Sequence, residues 1–239
     1  MDLLAEQRRE RKRRVLDTAR RLIEERGYEA VSMRELARES RVSVPTLYKL
    51  FGDKNALLLR AVESQFVALL NLIDRAHMED GLELLLALPE GCAREILRTR
   101  KYSRSVIGVF AGSGQVPGVS DVVARALSKE FQVALEKMQA ANQLQPWVDP
   151  RVLSERLATH QTMVCLEWAG GHLTSEGLRA AMDYGACMML MGVTRGAATE
   201  TVKRRAREAQ SAAAVRWPGT KPKKRSDSPT PKKKARANR

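Results

Sequence analysis

The amino-acid sequence predicts an all-α protein with about nine helices. Apolar residues recur at helical spacing through most of the chain, and no segment alternates apolar and polar residues over enough positions to predict a strand. Hydrophobic residues make up 44% of the 239 residues, which is enough for a globular core, whereas aromatic residues make up only 5%. We therefore expect a core built mainly from Leu, Val, Ala and Met.

The strongest local pattern lies between residues 31 and 54, where two short amphipathic helices follow one another. Ser32 precedes the first helix and Glu35 follows three residues later, a spacing typical of a capping box in which each side chain binds the other residue's backbone N–H. Ser43 precedes the second helix, and Pro45 falls in its first turn, where the missing N–H has no helical partner. Two helices of about two turns joined by a short turn predict a helix-turn-helix motif.

The same spacing predicts helices before and after this motif. A first helix over residues 6–26 is expected to end at Gly27, and Pro89 is expected to end a later one. The remaining helices are predicted over residues 53–76, 79–88, 91–110, 119–144, 149–169 and 175–193. Residues 199–215 are compatible with an extension of the last helix.

Positive charge is concentrated at the two ends of the chain. The net charge is +14, of which residues 1–57 contribute +4, residues 58–194 contribute −2 and residues 195–239 contribute +12. The middle therefore resembles an ordinary near-neutral domain. Charge that is concentrated in this way creates a local field and favours a polyanionic partner.

Each basic end has two interpretations. The run of arginines and lysines over residues 8–14 is either a solvated helix end or an arm that lies along phosphates or enters the minor groove. Its position directly before the two-helix motif favours the arm. Residues 218–239 show no apolar periodicity and are predicted to be disordered, either as a solubilising appendage or as a non-specific DNA tether.

Composition argues against an enzyme, a metal protein and a membrane protein. The three histidines are far apart, and the chain contains no zinc-protease motif, glycine-rich phosphate loop or nucleophile elbow. The three cysteines match no metal or disulfide framework, and no apolar run is long enough for a signal peptide or a membrane span. We expect no catalytic residue, cofactor or metal, and a cytoplasmic location.

The stretch from Val31 to Lys54, with its basic helix before and long helix after, resembles the DNA-binding domain of tetracycline-repressor-type (TetR family) regulators. The matching residues are Ser32, Leu36, Ala37, Val42, Ser43, Thr46, Leu47, Tyr48, Phe51, Lys54 and Leu57. Arg41 stands where the family usually carries glycine, and Pro45 and Leu50 also depart from its pattern. The resemblance implies a DNA-binding domain at 1–56, a helical effector-binding and dimerisation domain at 57–200, and a basic extension at 201–239.

The resemblance also implies which side chains contact DNA. The second short helix enters the major groove in the resembling proteins, which here places four side chains nearest the bases: Val44, Pro45, Thr46 and Lys49. Hydroxyl or charged side chains nearby suit phosphates: Ser32, Arg34, Ser43, Tyr48 and Lys54. For Tyr48 the alternative is a core position.

For the C-terminal domain the resemblance implies an effector pocket and a dimer interface. The expected pocket residues are Phe66, Ile96, Tyr102, Arg104, Ile107, Phe110, Phe131, Met138, His160, Gln161 and Met163, and a solid core is the alternative. The last two predicted helices are apolar on more than one side, which fits either a central core helix or packing against a second copy. The expected dimer residues are Leu166, Trp168, Met182 and Met189.

Together these features predict a homodimeric, sequence-specific DNA-binding regulator of the bacterial cytoplasm, associated with the nucleoid. We expect a repressor that a small apolar or amphipathic effector releases from a palindromic operator. The alternative is a largely non-specific DNA-compacting protein that binds through its basic tail.

Overall fold

The computed structural model describes residues 3–72, 78–111 and 119–214, except for the side chains of residues 66–72, 110–111 and 119–122. The described ranges contain ten helices: α1 (Leu3–Arg26), α2 (Met33–Glu39), α3 (Val44–Phe51), α4 (Lys54–Leu72), α5 (Gly81–Arg98), α6 (Arg100–Ala111), α7 (Val119–Ala140), α8 (Pro150–Ala169), α9 (Ser175–Met191) and α10 (Ala197–Gln210). The predicted all-α class is confirmed. None of the described helices is long and apolar enough to cross a membrane. The region predicted to be disordered, from about residue 218, lies outside the described residues.

Several helix boundaries differ from the predictions. The helices predicted over residues 79–88 and 91–110 are α5 and α6, which are divided at Thr99, and the helix predicted to reach residue 144 ends at Ala140. The expected helix end at Pro89 is wrong, because α5 continues through this residue. Pro89 is buried with Leu85 and Leu88, and burying this apolar face offsets the backbone hydrogen bond that proline cannot donate. Residues 197–210 form a separate helix instead of extending α9, because the helical conformation is interrupted before Ala197 by Gly196, whose φ is +58°.

Buried side chains form two clusters. The N-terminal cluster contains residues of α1 to α4, and the C-terminal cluster contains residues of α5 and α7 to α10. Helix α6 belongs to both, since Tyr102 and Val106 pack in the N-terminal cluster whereas Ile107 packs in the C-terminal one. The two halves of the protein are thus joined by a shared helix.

A buried carboxylate fixes α4 against α5 at this junction. Glu95 is 5% exposed, and its oxygens accept hydrogen bonds from Arg98 at 2.7 and 2.8 Å and from Gln65 of α4 at 3.3 Å. Gln65 also donates to Thr99 at 2.9 Å. Burial by itself raises the pKa of Glu95, but the hydrogen bonds from Arg98 and Gln65 outweigh it and hold that pKa below its ordinary value.

The turn between α2 and α3 has an unusual backbone conformation. Arg41 has a φ of +54°, in the left-handed region that favours glycine. This explains why glycine is expected here from the resemblance. The side chain is exposed, so nothing in the packing of the turn requires arginine.

Arg41→Gly is therefore expected to raise the free energy of unfolding by about 1 kcal/mol, the cost of a left-handed conformation for a residue with a Cβ. Urea unfolding at a fixed protein concentration measures this. Arg38→Gly, an equally exposed position within α2, is the matched control and is expected to lower stability by about 0.5–1 kcal/mol. If both variants lose stability equally, the turn is not strained.

Helix α5 approaches the backbone of α7 very closely at its first residue. A Cβ added to Gly81 would lie 2.5 Å from the carbonyl oxygen of Ala134 and 2.6 Å from the backbone nitrogen of Met138. Both are main-chain atoms inside a helix, so they cannot rotate away. Glycine at this position sets the distance between the two helices.

Gly81→Ala is expected to destabilise the protein by about 1–3 kcal/mol, the usual cost of overpacking a core contact. Gly108→Ala is the control, because that position lies within α6 and has no atom within 4 Å of the added Cβ. It is expected to stabilise by about 0.5–1 kcal/mol through helix propensity. Equal effects at both positions, measured by thermal unfolding, would contradict the close approach.

Candidate nucleic-acid interface

Both helices of the motif begin at the predicted serine caps. The Oγ atom of Ser32 accepts a hydrogen bond from the N–H of Glu35 at 3.2 Å, and Ser43 Oγ accepts one from Thr46 at 3.3 Å. The reciprocal half of the predicted capping box is replaced by a tertiary contact, since the Glu35 carboxylate pairs with Arg26 at the end of α1. Local sequence thus sets where the helices start.

Arginines of α1 hold α2 in place. Arg14 donates to the carbonyl oxygen of Ser40 at 3.0 Å, and Arg21 donates to Glu39 at 3.1 Å. The hydrogen bond from Arg21 holds the pKa of Glu39 below its ordinary value. With the Arg26–Glu35 pair, these contacts restrain α2 along its length.

Helix α3 presents a polar and an apolar face. Leu47 and Phe51 are buried in the N-terminal cluster, as predicted for structural residues. Pro45, Tyr48 and Lys49 are exposed on the other side, and Tyr48 is 51% exposed. The core alternative for Tyr48 is therefore wrong, and its ring and hydroxyl are accessible to a ligand.

Side chains in the first turn of α3 make contacts within the protein. Val44 is half-buried and packs against the N-terminal cluster. The hydroxyl of Thr46 lies 2.7 Å from the Ser43 hydroxyl, so one of the two donates to the other. These three side chains order the N-terminus of α3 and leave Thr46 half-buried at its surface.

Exposed cations lie on α2, in the turn and on α3. Arg34, Arg41 and Lys49 are exposed, and within the described ranges none of them makes an ion pair. Sequence reasoning selected Arg34 and Lys49 but treated Arg41 only as a departure from a family pattern. Its position in the turn directly before α3 is the signal that places a further cation beside this helix.

Lys54 has protein partners in this structure. Its Nζ atom donates to the carbonyl oxygen of Glu29 at 3.3 Å and lies 4.1 Å from the ring centroid of Tyr28. Burial lowers the pKa of Lys54, and burial also raises the pKa of Tyr28 to about 12. The ammonium thus ties the loop after α1 to the start of α4, where a cation–π contact at a partly exposed site contributes about 0.5–1 kcal/mol.

The basic run before the motif is helical. Helix α1 starts at Leu3, so residues 8–14 extend it by about two turns beyond its first buried residue, Val15. Arg13 pairs with Glu10 at 3.1 Å, and Arg14 binds the end of α2. The run therefore projects from the motif as a helix.

The predicted pocket residues do not all come together. Ile107, Phe131 and Met138 are buried in the C-terminal cluster, and Ile96 packs against it. Tyr102 packs instead in the N-terminal cluster. The side chains of two further predicted residues, Phe66 and Phe110, lie outside the described residues. Met163 is 52% exposed on α8, which corrects its predicted place in an interior pocket.

Two buried polar atoms on α8 lack a hydrogen-bond partner within the described part of the chain. They are Oε1 of Gln161 and Nε1 of Trp168. Gln161 uses its Nε2 to donate to Met182 at 3.3 Å, and the guanidinium of Arg104 lies 4.9 Å from the Trp168 ring centroid. His160, another predicted pocket residue, directly precedes Gln161, and its Nε2 atom lies 3.2 Å from the carbonyl oxygen of Ala181 on α9.

The predicted dimer residues divide into two pairs. Trp168 and Met182 have no exposed surface in the protomer, so they cannot contact a second chain, and their assignment is corrected to the core. The prediction failed because a helix that is apolar on several sides does not reveal which side faces inward. Leu166 and Met189 are half-buried.

Comparison with known proteins identifies the DNA-binding part. Residues 15–61 match the tetR family of bacterial regulatory proteins. The chain is 39% identical over 138 residues to the HTH-type transcriptional repressor KstR of Mycolicibacterium smegmatis, covering 53% of this chain and 68% of the relative. It is 42% identical over 138 residues to the KstR repressor of Rhodococcus jostii, covering 56% and 64% respectively.

The fold extends beyond that match. The structure of Thermus thermophilus FadR, a TetR-family repressor in complex with lauroyl-CoA, aligns with 88% of this chain and 98% of its own at a TM-score of 0.54 and 17% identity. This likeness concerns the fold alone. The KstR relatives and the match over residues 15–61 show that the chain belongs to the tetR family of bacterial regulatory proteins, which are sequence-specific DNA-binding transcriptional regulators.

Proposed function

We propose that the protein is a homodimeric repressor that reads a palindromic operator through α3 and leaves it when a small apolar or amphipathic effector binds. The observation that carries the proposal is the exposed face of α3, with Pro45, Tyr48 and Lys49 on a helix whose start is fixed by Ser43. Such a regulator acts on nucleoid DNA in the bacterial cytoplasm. The KstR relatives, which are repressors, support repression over activation.

The side chains on this face suit two kinds of contact. Lys49 is long and unpaired in the described structure, so it reaches guanine O6 and N7 in a major groove, while Val44 and the Thr46 methyl suit thymine methyl groups. Tyr48 and the exposed Arg34 suit phosphates, which position the protein without selecting a sequence. Lys54 contacts the Tyr28 ring and the carbonyl oxygen of Glu29, so it holds the start of α4, which follows α3, against the loop after α1.

An exposed apolar surface on α8 and α9 supports the dimer. Met163 is 52% exposed on α8, and Met188 is 47% exposed on α9. Exposed apolar side chains such as these contribute stability when a second chain buries them. A dimer paired through these helices presents two copies of α3 to two half-sites, which is the arrangement a palindrome requires.

The two buried atoms on α8 that have no hydrogen-bond partner in the described structure support an effector that carries a polar group. Nε1 of Trp168 is a donor and Oε1 of Gln161 is an acceptor, and a buried polar atom without a partner costs about 1–3 kcal/mol. An apolar molecule with a carbonyl or carboxylate group supplies an acceptor for Trp168, and Arg104 beside its ring adds positive charge. The lauroyl-CoA bound to Thermus thermophilus FadR is a molecule of this kind.

Selection of bound sequences from a random duplex pool tests the DNA-reading function, and a two-fold symmetric site is expected. On that site Lys49→Ala is expected to change base preference, because a good side-chain–base contact discriminates by about 1–3 kcal/mol. Tyr48→Ala is expected to weaken binding to all sequences alike, by about 1 kcal/mol for a lost hydrogen bond to a phosphate. Lys54→Ala is also expected to weaken binding to all sequences, because this lysine holds the loop after α1 against the start of α4. Electrophoretic mobility shifts measure both effects.

Lys129→Ala is the matched control, since it removes an exposed lysine from α7, outside the helix-turn-helix. It is expected to bind like the wild type. A pool that yields no common sequence, or variants at positions 48, 49 and 54 that all keep wild-type affinity, would refute the assignment.

Thermal unfolding with dodecanoate and with lauroyl-CoA tests the effector class. A ligand at about 100 times its Kd stabilises by about 2.7 kcal/mol, which corresponds to roughly 5–10 °C for a domain of this size. The same probes are expected to release the protein from its selected DNA. Trp168→Phe keeps an aromatic ring, although a smaller one, but removes the N–H, so it is expected to reduce the shift. Coenzyme A alone is the control for the polar part. No shift and no release with either probe would exclude this effector class.

A further inference from the structure

Helix α1 runs from the junction with the C-terminal domain to the turn of the helix-turn-helix motif. At its C-terminal end, the backbone N–H of Tyr28 donates to Ser105 of α6 at 3.0 Å. Towards its other end, Arg14 donates to the carbonyl oxygen of Ser40, at the end of α2. The turn that leads into α3 therefore lies at the end of α1 that is far from α6.

The C-terminal end of α3 lies at the same level of α1. Leu50 and Phe51 border a cleft together with Lys12 and Leu16. Both ends of α3 are thus beside the same two turns of α1, and the helix continues past them to Leu3. This projecting part, residues 3–13, is called the α1 extension below. It reaches about 15 Å beyond the motif at 1.5 Å per residue.

The buried face of α1 continues into the α1 extension as a row of cations. Residues three or four apart lie on the same face of a helix, so the face that is buried at Val15 runs back through Lys12 and Arg11 to Arg8. Within the described part of the chain, none of these three cations makes an ion pair or a side-chain hydrogen bond. At Val15 this face points into the motif, so past the edge of the motif it faces the space beside α3.

The acidic residues of the α1 extension lie on the opposite face. Glu6 and Glu10 are four residues apart, and Glu10 pairs with Arg13 at 3.1 Å. A helix end that is only solvated needs no such separation of charge. The face beside α3 therefore carries positive charge without a neighbouring acid, an arrangement that attracts phosphates.

We propose that the α1 extension lies along the duplex next to each half-site, where Arg8, Arg11 and Lys12 bind phosphates outside the base pairs that α3 contacts. The proposal rests on the proposed function, because α3 defines which side of the domain faces DNA. Phosphates carry no sequence information, so this contact adds affinity for any flanking sequence. Because the extension is a helix held to the motif at Arg14, it requires duplex at a fixed place, within about four to five base pairs of the half-site at about 3.4 Å each.

Duplexes that carry the selected operator between flanks of increasing length test where the contact lies. The affinity of the full-length wild type, measured by fluorescence anisotropy at low salt, is expected to rise about tenfold or more as each flank grows to about five base pairs. Longer flanks are expected to add little, because the α1 extension does not reach them. The sequence of the flanks is expected to have no effect.

Two double variants separate the faces of the extension at equal net charge. Arg8→Gln with Arg11→Gln removes two cations beside α3 and is expected to abolish the dependence on flank length. It is also expected to reduce the slope of log Kobs against log salt concentration by about 3–4 for a dimer, at about 0.9 per lost phosphate contact. Arg9→Gln with Arg13→Gln removes two cations from the other side of the same turns and is expected to bind like the wild type. Glutamine and arginine have similar helix propensities, so both variants keep the extension helical.

The outcomes distinguish this proposal from the function on which it rests. If Arg8→Gln with Arg11→Gln keeps the flank dependence of the wild type, or if both double variants lose affinity equally, the proposed contact is wrong, while binding to a flankless operator still supports the repressor. A pool without a common sequence would instead overturn operator reading. A reduced salt slope for Arg8→Gln with Arg11→Gln alone, on a long unrelated duplex, would then still support the phosphate contact.

Discussion

The buried carboxylate of Glu95 is the constraint that connects the two halves of this protein. A charged group 5% exposed is stable only when its oxygens are hydrogen-bonded, and one of its donors, Gln65, belongs to α4. Helix α4 is also covalently continuous with α3, across Gly52 and Asp53. A displacement of α4 from α5 therefore leaves a buried charge short of a partner and moves the recognition helix at the same time. The Gln65–Glu95 hydrogen bond therefore restrains the position of α4, and with it the position of α3, relative to the C-terminal domain.

Local chemistry explains which parts of the fold the sequence predicts. The caps at Ser32 and Ser43 satisfy backbone donors only a few residues away, so their positions follow from spacing alone. The prediction at Pro89 was wrong because α5 is stabilised by packing against helices that are distant in the sequence. The assignment of Trp168 and Met182 to the dimer interface was wrong for the same reason, since the sequence of a helix that is apolar on several sides does not show which side faces the core. The exposed surface of α3 was predictable because its polar residues follow the helical period, whereas Lys54 acquires its partners from the loop after α1, which no spacing rule reveals.

The recognition surface combines rigid and adaptable parts. Caps, the Ser43–Thr46 contact and the arginines of α1 fix the backbone of α2 and α3, which lowers the entropy lost when DNA binds. Tyr48 and Lys49 then supply the exposed groups, of which the lysine is the more mobile. The left-handed Arg41 adds conformational strain to the turn but places a cation directly before α3. Stability at this turn and affinity for a polyanion are therefore opposed, which is a reason for a DNA-binding protein to retain a strained arginine where glycine fits better.

The two basic ends of the chain differ in what they contribute to binding. The run in α1 is held in a helix whose next turns are buried, so its charges occupy fixed positions relative to α3 and strengthen only those duplex orientations that bring phosphates to them. Residues 215–239 carry more charge, +9, and show no apolar periodicity. Charge that contacts phosphates without contacting bases raises operator and non-specific affinity together and leaves their ratio almost unchanged. Sequence discrimination must then come from α3 and the fixed charges beside it. The near-neutral charge of residues 58–194 is consistent with this, because a region without a local excess of positive charge does not attract a polyanion.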